Sequence, residues 1–328
     1  MKLLFCIIMF IVPGLVKFVA YSQVFMVAEL NTENMFDFMH DSLKNDYEFT
    51  PDGQRRWTKS KYWKKINSIG KDILAIGNDS DGWHLPDMVA LCEVENDTVM
   101  RDLTKRSLLR GARYDYVITN SPDLRGIDVA LLYSPMSFRM IRNTAFRVTP
   151  VSGMRPTRDI LYACGEVESG DTLHIFVVHA PSRSGGETAT RKFRMRTAET
   201  LCMAIDSLRA ESPDAKIITM GDFNDYCGDA SMEYIYSKTL MTDVSMDSKG
   251  NNGAKGTYRY KGEWGSLDHI LVSGTLLPKV KECVVADSPF LMEEDKTYGG
   301  KKPKRFFNGY KYNKGYSDHL PLRMILVL

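Results

Sequence analysis

The sequence predicts an α/β fold with buried sheets, and three observations carry that expectation. Apolar, β-rich segments alternate with amphipathic stretches from Val24 to the C-terminus. The composition, 44% hydrophobic, 26% charged and 11% aromatic over 328 residues, is that of a globular chain able to bury a sizeable core. It excludes disordered, collagen-like and disulfide-scaffold classes. No Pro/Ser/Gly-rich linker divides the chain, so one domain is expected over residues 23–328.

The N-terminus comes first in order. Lys2 precedes an apolar run from Leu3 to Val16, and Ala20 and Ser22 offer small residues for cleavage before Gln23. Residues 1–22 are therefore expected to be a signal peptide, because the run is shorter than the roughly 20 residues a spanning helix needs and Lys17 interrupts it. The mature protein is then exported, periplasmic or extracellular, with no stable membrane span. Formal charge is +2, and the first 22 residues carry Lys2 and Lys17 with no acid, so the remainder holds 41 residues of each sign. Attraction to polyanions must come from local patches. Beyond Cys6 there are five cysteines (Cys92, Cys164, Cys202, Cys227, Cys283), an odd number spread through mostly apolar runs, which reads as buried thiols rather than a disulfide framework.

Strands are expected at residues 24–30, 88–94, 114–119, 128–133, 173–179, 216–221, 267–272 and 322–327, each an apolar, β-rich run. Tyr62, Ile66, Ile69, Ile73 and Ile76 recur at helical spacing, with Gly77 placed to end the helix. Phe193, Thr197, Leu201, Ile205 and Leu208 define a second helix that stops before Pro213. Residues 245–256 and 296–316 are glycine- and lysine-rich, which marks exposed loops.

Several strands end in side chains that phosphate-ester hydrolysis needs: oxygen ligands for a hard cation, a base for water, and donors for the phosphate. Asn31 follows the first strand, and Glu93 follows the run Met88-Val89-Ala90-Leu91-Cys92. Oxygen donors of this kind suit Mg²⁺ or Ca²⁺. Gly221 permits a tight exit toward Asp222 and Asn224, which can share a side if the backbone stays extended; an Asx turn capping the next helix is the alternative. His179 leads into Ala-Pro-Ser, Arg183 and a glycine pair, a plausible phosphate-contacting loop. Asp268 and His319, from the Ser-Leu-Asp-His and Ser-Asp318-His segments, can form a carboxylate–imidazole pair. His269 alternates away from Asp268 and reads as core. Asp128 is either a further acid for His179 or a turn residue at a strand start.

The ordered series Asn31, Glu93, His179-Ala-Pro-Ser, Gly-Asp222-Phe-Asn224-Asp, Leu-Asp268-His-Ile-Leu and Ser-Asp318-His319-Leu-Pro resembles the endonuclease/exonuclease/phosphatase superfamily, the DNase I-like fold, over about residues 24–328. The resemblance implies a four-layer sandwich in which two mixed sheets pack face to face with helices outside. It also implies a divalent-metal-dependent phosphoesterase with its site on one edge. By that resemblance Asn31, Glu93 and Asp318 hold Mg²⁺ (or Mn²⁺ or Ca²⁺). Asp222 aligns or deprotonates water, Asn224 holds the phosphate, and His319 contacts it while Asp268 orients His319. His179 is a second phosphate ligand or proton donor.

For the substrate, an endonuclease or exonuclease acting on phosphodiesters is the first expectation. A phosphodiesterase or phosphatase for small or lipid-headgroup esters is the alternative, and a non-catalytic binding protein on the same fold is a third. Residues 55–65 interleave six basic side chains with aromatics, which could grip nucleic acid or be a solvated helix face. A second basic stretch, residues 301–307, precedes Asp318 and is the better placed to touch substrate, with a mobile surface loop as the alternative. A monomer is expected.

Overall fold

Burial on both faces of the strands decides the layering. In the first strand Phe25 and Val27 point one way and Met26, Ala28 and Leu30 the other, yet all five are fully buried. Such a strand needs cover on each side. The protein, here a computed structural model that describes residues 24–79 and 82–328, provides it with twelve strands in two sheets. In chain order they are β1 (Val24–Met35), β2 (Met88–Val94), β3 (Asp115–Ile118), β4 (Asp128–Tyr133), β5 (Phe138–Phe146), β6 (Ile160–Val167), β7 (Thr172–His179), β8 (Lys216–Asp222), β9 (Thr242–Asp243), β10 (Asp268–Val272), β11 (Val280–Val285) and β12 (Leu322–Val327). The spatial orders are β11-β12-β1-β2-β4-β3 and β9-β10-β8-β7-β6-β5.

Phe25 and Val27 join Ala90, Val129, Ile175, Ile218 and Ile270 in a core between the sheets. Met26, Ala28 and Leu30 face helix α1 (Lys59–Ile76), whose Tyr62, Ile66, Ile69 and Ile73 stripe covers the first sheet. Phe176 and Val178 of the second sheet meet Leu201 and Ile205 of α2 (Glu187–Glu211) and Ile235 of α3 (Ala230–Thr239). Each such side chain contributes about 1.5–3 kcal/mol by leaving water. The result is the four-layer sandwich.

The middle of each sheet is a parallel pair, β1 with β2 and β7 with β8; every other neighbour is antiparallel. Parallel strands finish at one edge, and their antiparallel neighbours begin there. His179 and Asp222 therefore end their strands, and Asn31 and Glu93 lie at the break near the ends of theirs, where Asp268 starts β10 and where Asp318 and His319 lead into β12. Asp222 is in register with both His179 and Asp268.

β2, β4 and β12 have the predicted boundaries, and β1 runs five residues beyond its predicted end to Met35. β5, β6, β9 and β11 are strands the sequence reading does not include. Gly77 does follow α1, but in right-handed rather than left-handed backbone; a Cβ there would lie 2.0 Å from the His84 carbonyl oxygen, so close approach explains the glycine. Cys92, Cys164, Cys202, Cys227 and Cys283 are free thiols, as expected, but only the first three are buried; Cys227 and Cys283 are half-buried. Cys6 and the signal-peptide segment lie outside the described residues. Among the described residues no helix is long and apolar enough to cross a membrane.

Candidate active site

A break in the β1–β2 ladder aims the first candidates. Asn31 pairs with Cys92 and Met35 with Val94, so residues 32–34 stand opposite Glu93 alone. Left-handed backbone at Glu33, Asn34 and Glu93 (φ 51°, 62° and 62°) takes up the mismatch. That conformation costs a non-glycine residue about 1–2 kcal/mol and persists where its surroundings enforce it. The Thr32 hydroxyl braces the turn by donating to the carbonyls of Cys92 (2.9 Å) and Glu93 (3.0 Å). The Glu93 carboxylate accepts the Asn34 N–H at 2.8 Å.

On β8, Gly221 adopts φ 141°, and a Cβ would lie 1.9 Å from the Val178 carbonyl oxygen; only glycine allows this exit. Asp222 is thereby turned inward. Its Oδ1 accepts the Asn224 N–H at 2.8 Å, and its Oδ2 accepts Asn31 Nδ2–H at 2.9 Å with His179 Nε2 3.6 Å away. Asn224, left-handed at φ 52°, donates Nδ2–H to the Ala180 carbonyl at 3.0 Å. An Asx turn is thus present and holds the acid in place, but it caps no helix as the sequence alternative had it: α3 begins at Ala230 with Asp229 before it. Burial, then the Asp268 charge, push the Asp222 carboxyl up to about 7, against the pull of His319, Asn31 and the Asn224 amide.

His319 Nδ1 meets Asp268 Oδ2 at 2.7 Å, and the Thr257 hydroxyl donates to the same oxygen at 2.5 Å. Ser317 fixes the approach, donating to the Asn31 carbonyl at 2.6 Å and accepting the His319 N–H at 3.1 Å. Burial opposes the imidazolium, yet Asp268, Asp222 and Asp318 carry His319 well above its ordinary pKa. His179 goes the other way: burial, with Arg158, Arg125 and His319, holds it well below. The site thus keeps one charged and one neutral imidazole. Arg158 fixes the second by donating to the carbonyls of His179 (3.2 Å) and Ala180 (2.6 Å), with Asp123 as its ion partner.

Three other residues weighed from the sequence are occupied elsewhere. Asp128 accepts the Thr119 hydroxyl (2.5 Å) and the Ser121 N–H (3.0 Å), the turn role. His269 is buried between Asp243 (2.7 Å) and the Asp225 carbonyl (2.9 Å). Arg183 pairs with Asp229 at 2.8 Å and lies over the Tyr226 ring.

Asp318 Oδ2 accepts Arg305 Nη2–H at 2.7 Å, and Arg305 Nε–H reaches Glu33 Oε1 at 3.1 Å. Burial works against the Asp318 charge, but Arg305 and His319 hold its carboxyl below the usual range. Arg125 Nη1 stands 3.6 Å from Glu93 Oε1, and its Nη2–H donates to Asn34 Oδ1. Behind them Lys65 is fully buried, bonded to the Tyr316 carbonyl at 2.5 Å and brought down to about 8 by burial, while Glu33, Asp318 and Glu93 act to raise it.

Glu29 and Tyr258 escape the sequence reading. Glu29 is wholly buried beneath the site, with no hydrogen-bond partner for either oxygen among the described residues; burial, then Asp268 and Asp222, raise its pKa well above the usual value. Its place on the inward face with Phe25 and Val27 is the signal that would have found it. Tyr258 lays its ring 4.9 Å from that of His319, and nothing in its local sequence marks it.

Glu93, Asp318 and Asn31 offer oxygen donors of the kind a hard divalent cation takes, though Arg125 and Arg305 meet the two carboxylates and Asn31 Oδ1 accepts the Glu33 N–H at 2.9 Å. Donor atoms of Asp222, Asp268 and His319 also lie within 4.8 Å of one another. There Asp268 Oδ2 and His319 Nδ1 are bonded to each other, but Asp268 Oδ1 is unpartnered among the described residues, so this trio too could hold a cation.

The sequence profile described as Endonuclease/Exonuclease/phosphatase family matches residues 26–327. No curated protein matches the chain. Among solved structures, an endonuclease/exonuclease/phosphatase family protein from Bacteroides thetaiotaomicron is 17% identical, with TM-score 0.60 over 94% of this chain and 99% of that one. A mannosyl-6-phosphatase from the same species is 18% identical, with TM-score 0.61 over 93% of this chain and 100% of that one. The human Nocturnin catalytic domain with bound sulfate is 18% identical, with TM-score 0.55 over 92% and 93%. At these identities the likeness is one of fold. With the profile spanning nearly every described strand, the chain belongs to the endonuclease/exonuclease/phosphatase family, whose members hydrolyse phosphoesters and generally use a divalent metal.

Proposed function

We propose that the protein is an exported, divalent-cation-dependent hydrolase that directs water at the phosphorus of a small phosphoester. The observation that carries the reading is Asp222: a buried carboxyl, gripped on both oxygens and poised at about 7, is suited to take a proton from water near neutral pH. The His319 imidazolium, oriented by Asp268, can meet the charge that grows on the phosphate in the transition state. The Asn224 amide and the neutral His179 add polar groups beside it. Glu93, Asp318 and Asn31 would hold Mg²⁺ or Mn²⁺, which when bound polarises a phosphoryl oxygen. Export is supported by Lys2 and the apolar run to Val16.

A small ester is favoured over the polynucleotide expected first. Binding to a nucleic-acid backbone needs free basic side chains along a track, and several of those in residues 55–65 are engaged within the protein. Arg55 lies over Phe49, Phe307 and Tyr310, and Lys61 over Phe307 and Tyr312; Lys65 is buried. The test is a phosphoester panel on purified protein, run with Mg²⁺ or Mn²⁺ and with chelator, and including supercoiled plasmid. Metal-dependent turnover of small esters without nicking is expected. No hydrolysis of any ester would overturn the reading, and plasmid cleavage faster than small-ester turnover would return the substrate to nucleic acid.

A further inference from the structure

Two arginines stand at the mouth of the site, and the proposed chemistry uses neither. Arg125 reaches in from the loop before β4, and Arg305 from the loop before β12. Each pairs with one of the two carboxylates assigned above to the same cation, Glu93 and Asp318. They also grip adjacent residues of the β1 break, Arg125 on Asn34 and Arg305 on Glu33. The guanidinium groups therefore flank one short ridge of backbone.

Their exposure separates them from their partners. The arginine side chains are 45% and 43% exposed, whereas those of Glu93 and Asp318 are 13% and 17%. The carboxylates face into the site and the guanidinium groups face its entrance. Nη1 of Arg305 and Nε of Arg125 make no hydrogen bond among the described residues, so each fork keeps a donor for a ligand. A cation on Glu93 and Asp318 would compete with the arginines for the same oxygens and repel them toward solvent, the direction from which a phosphate enters.

We propose that Arg125 and Arg305 form a two-armed receptor for the terminal phosphate of a phosphomonoester, so that the enzyme is a phosphatase that discriminates against diesters. This rests on the hydrolase reading above and narrows its substrate. A terminal phosphate carries three free oxygens and up to two negative charges, enough to engage both forks, the His319 imidazolium and a cation together. A diester carries one charge and two free oxygens, and its second ester arm must pass where an arginine stands. Arg305 belongs to the basic stretch before Asp318, so that stretch contributes a specificity residue.

The test compares p-nitrophenyl phosphate with bis(p-nitrophenyl) phosphate in Mn²⁺, using wild type, Arg125→Gln, Arg305→Gln and the two lysine variants. Wild type should favour the monoester in kcat/KM. Each glutamine variant should lose roughly tenfold to a hundredfold on the monoester, the scale of a lost charge-assisted contact, with a much smaller change on the diester, and lysine should restore part of the loss. Calorimetry with inorganic phosphate and Mn²⁺-loaded protein should show a matching loss of phosphate affinity, while Mn²⁺ affinity without phosphate stays level or rises. A wild-type preference for the diester, equal losses on both esters, or unchanged phosphate affinity would overturn the receptor while leaving the hydrolase reading intact. Turnover of neither ester by wild type would sink both.

Discussion

His319 and Asp268 are 51 residues apart in sequence and meet at 2.7 Å, with the Thr257 hydroxyl on the same carboxylate oxygen. The carboxylate fixes the ring and favours its charged form. Asp268→Asn should lower kcat by about 10²–10⁴. It should also move the alkaline limb of the pH–rate profile to lower pH, because His319 acts while protonated and loses the partner that raises its pKa. An alkaline limb that stays in place would remove Asp268 from this role.

Asp222 must be ionised to accept a proton, and its carboxyl is pushed up to about 7. Activity should therefore decline as pH falls through about 7, and Asp222→Ala should abolish hydrolysis with the circular dichroism spectrum unchanged. The substitution takes away a chemical group at the sandwich edge rather than core volume. Near wild-type turnover in the variant, or a plateau reaching far into acid, would count against the assignment.

Glu93 is the proposed cation ligand on the strained turn of β2. Glu93→Ala should raise the Mn²⁺ concentration at half-saturation by about tenfold to a hundredfold, the range for loss of a metal-site group. Calorimetric titration of Mn²⁺ checks this apart from turnover, and an unchanged midpoint would exclude Glu93.

Asp72 lies on α1, fully buried with both oxygens unpartnered among the described residues, and burial pushes it up to about 8 despite Lys65. The native state therefore holds a proton that the unfolded chain releases above about pH 4. Stability is lost as pH rises from about 4 to about 8 and then levels off. Asp72→Asn should remove much of that slope and gain on the order of 4 kcal/mol at pH 7 relative to its effect at pH 4, read from denaturant midpoints. A parallel pH dependence in the two proteins would refute it.

The parts of the fold that were legible follow from physics local to each segment. β2, β4 and β12 are nearly unbroken apolar runs buried on both faces, and their limits can be read directly. β5 is an edge strand whose Arg139, Arg142, Asn143 and Thr144 face solvent, so no apolar run announces it. β11 carries Lys281 and Glu282, and β9 is two residues long. In the site, Asp268 and His319 could be paired from the sequence because each sits in a short polar motif that opens an apolar run. The arginines at the entrance could not, since Arg125 reaches Glu93 and Arg305 reaches Asp318 only through loop geometry and the mismatch between β1 and β2. Lys65 belongs to a helix whose outward lysines disguise the single buried one.

The bond from Asn31 to Asp222 spans 191 positions and ties the central strand of one sheet to that of the other. Neither half of the polypeptide, folded in isolation, would own a working centre. During renaturation β-structure should return before catalysis, and separately expressed halves should be inert until mixed. Turnover thereby becomes a reporter of long-range closure, silent until the last interface has locked.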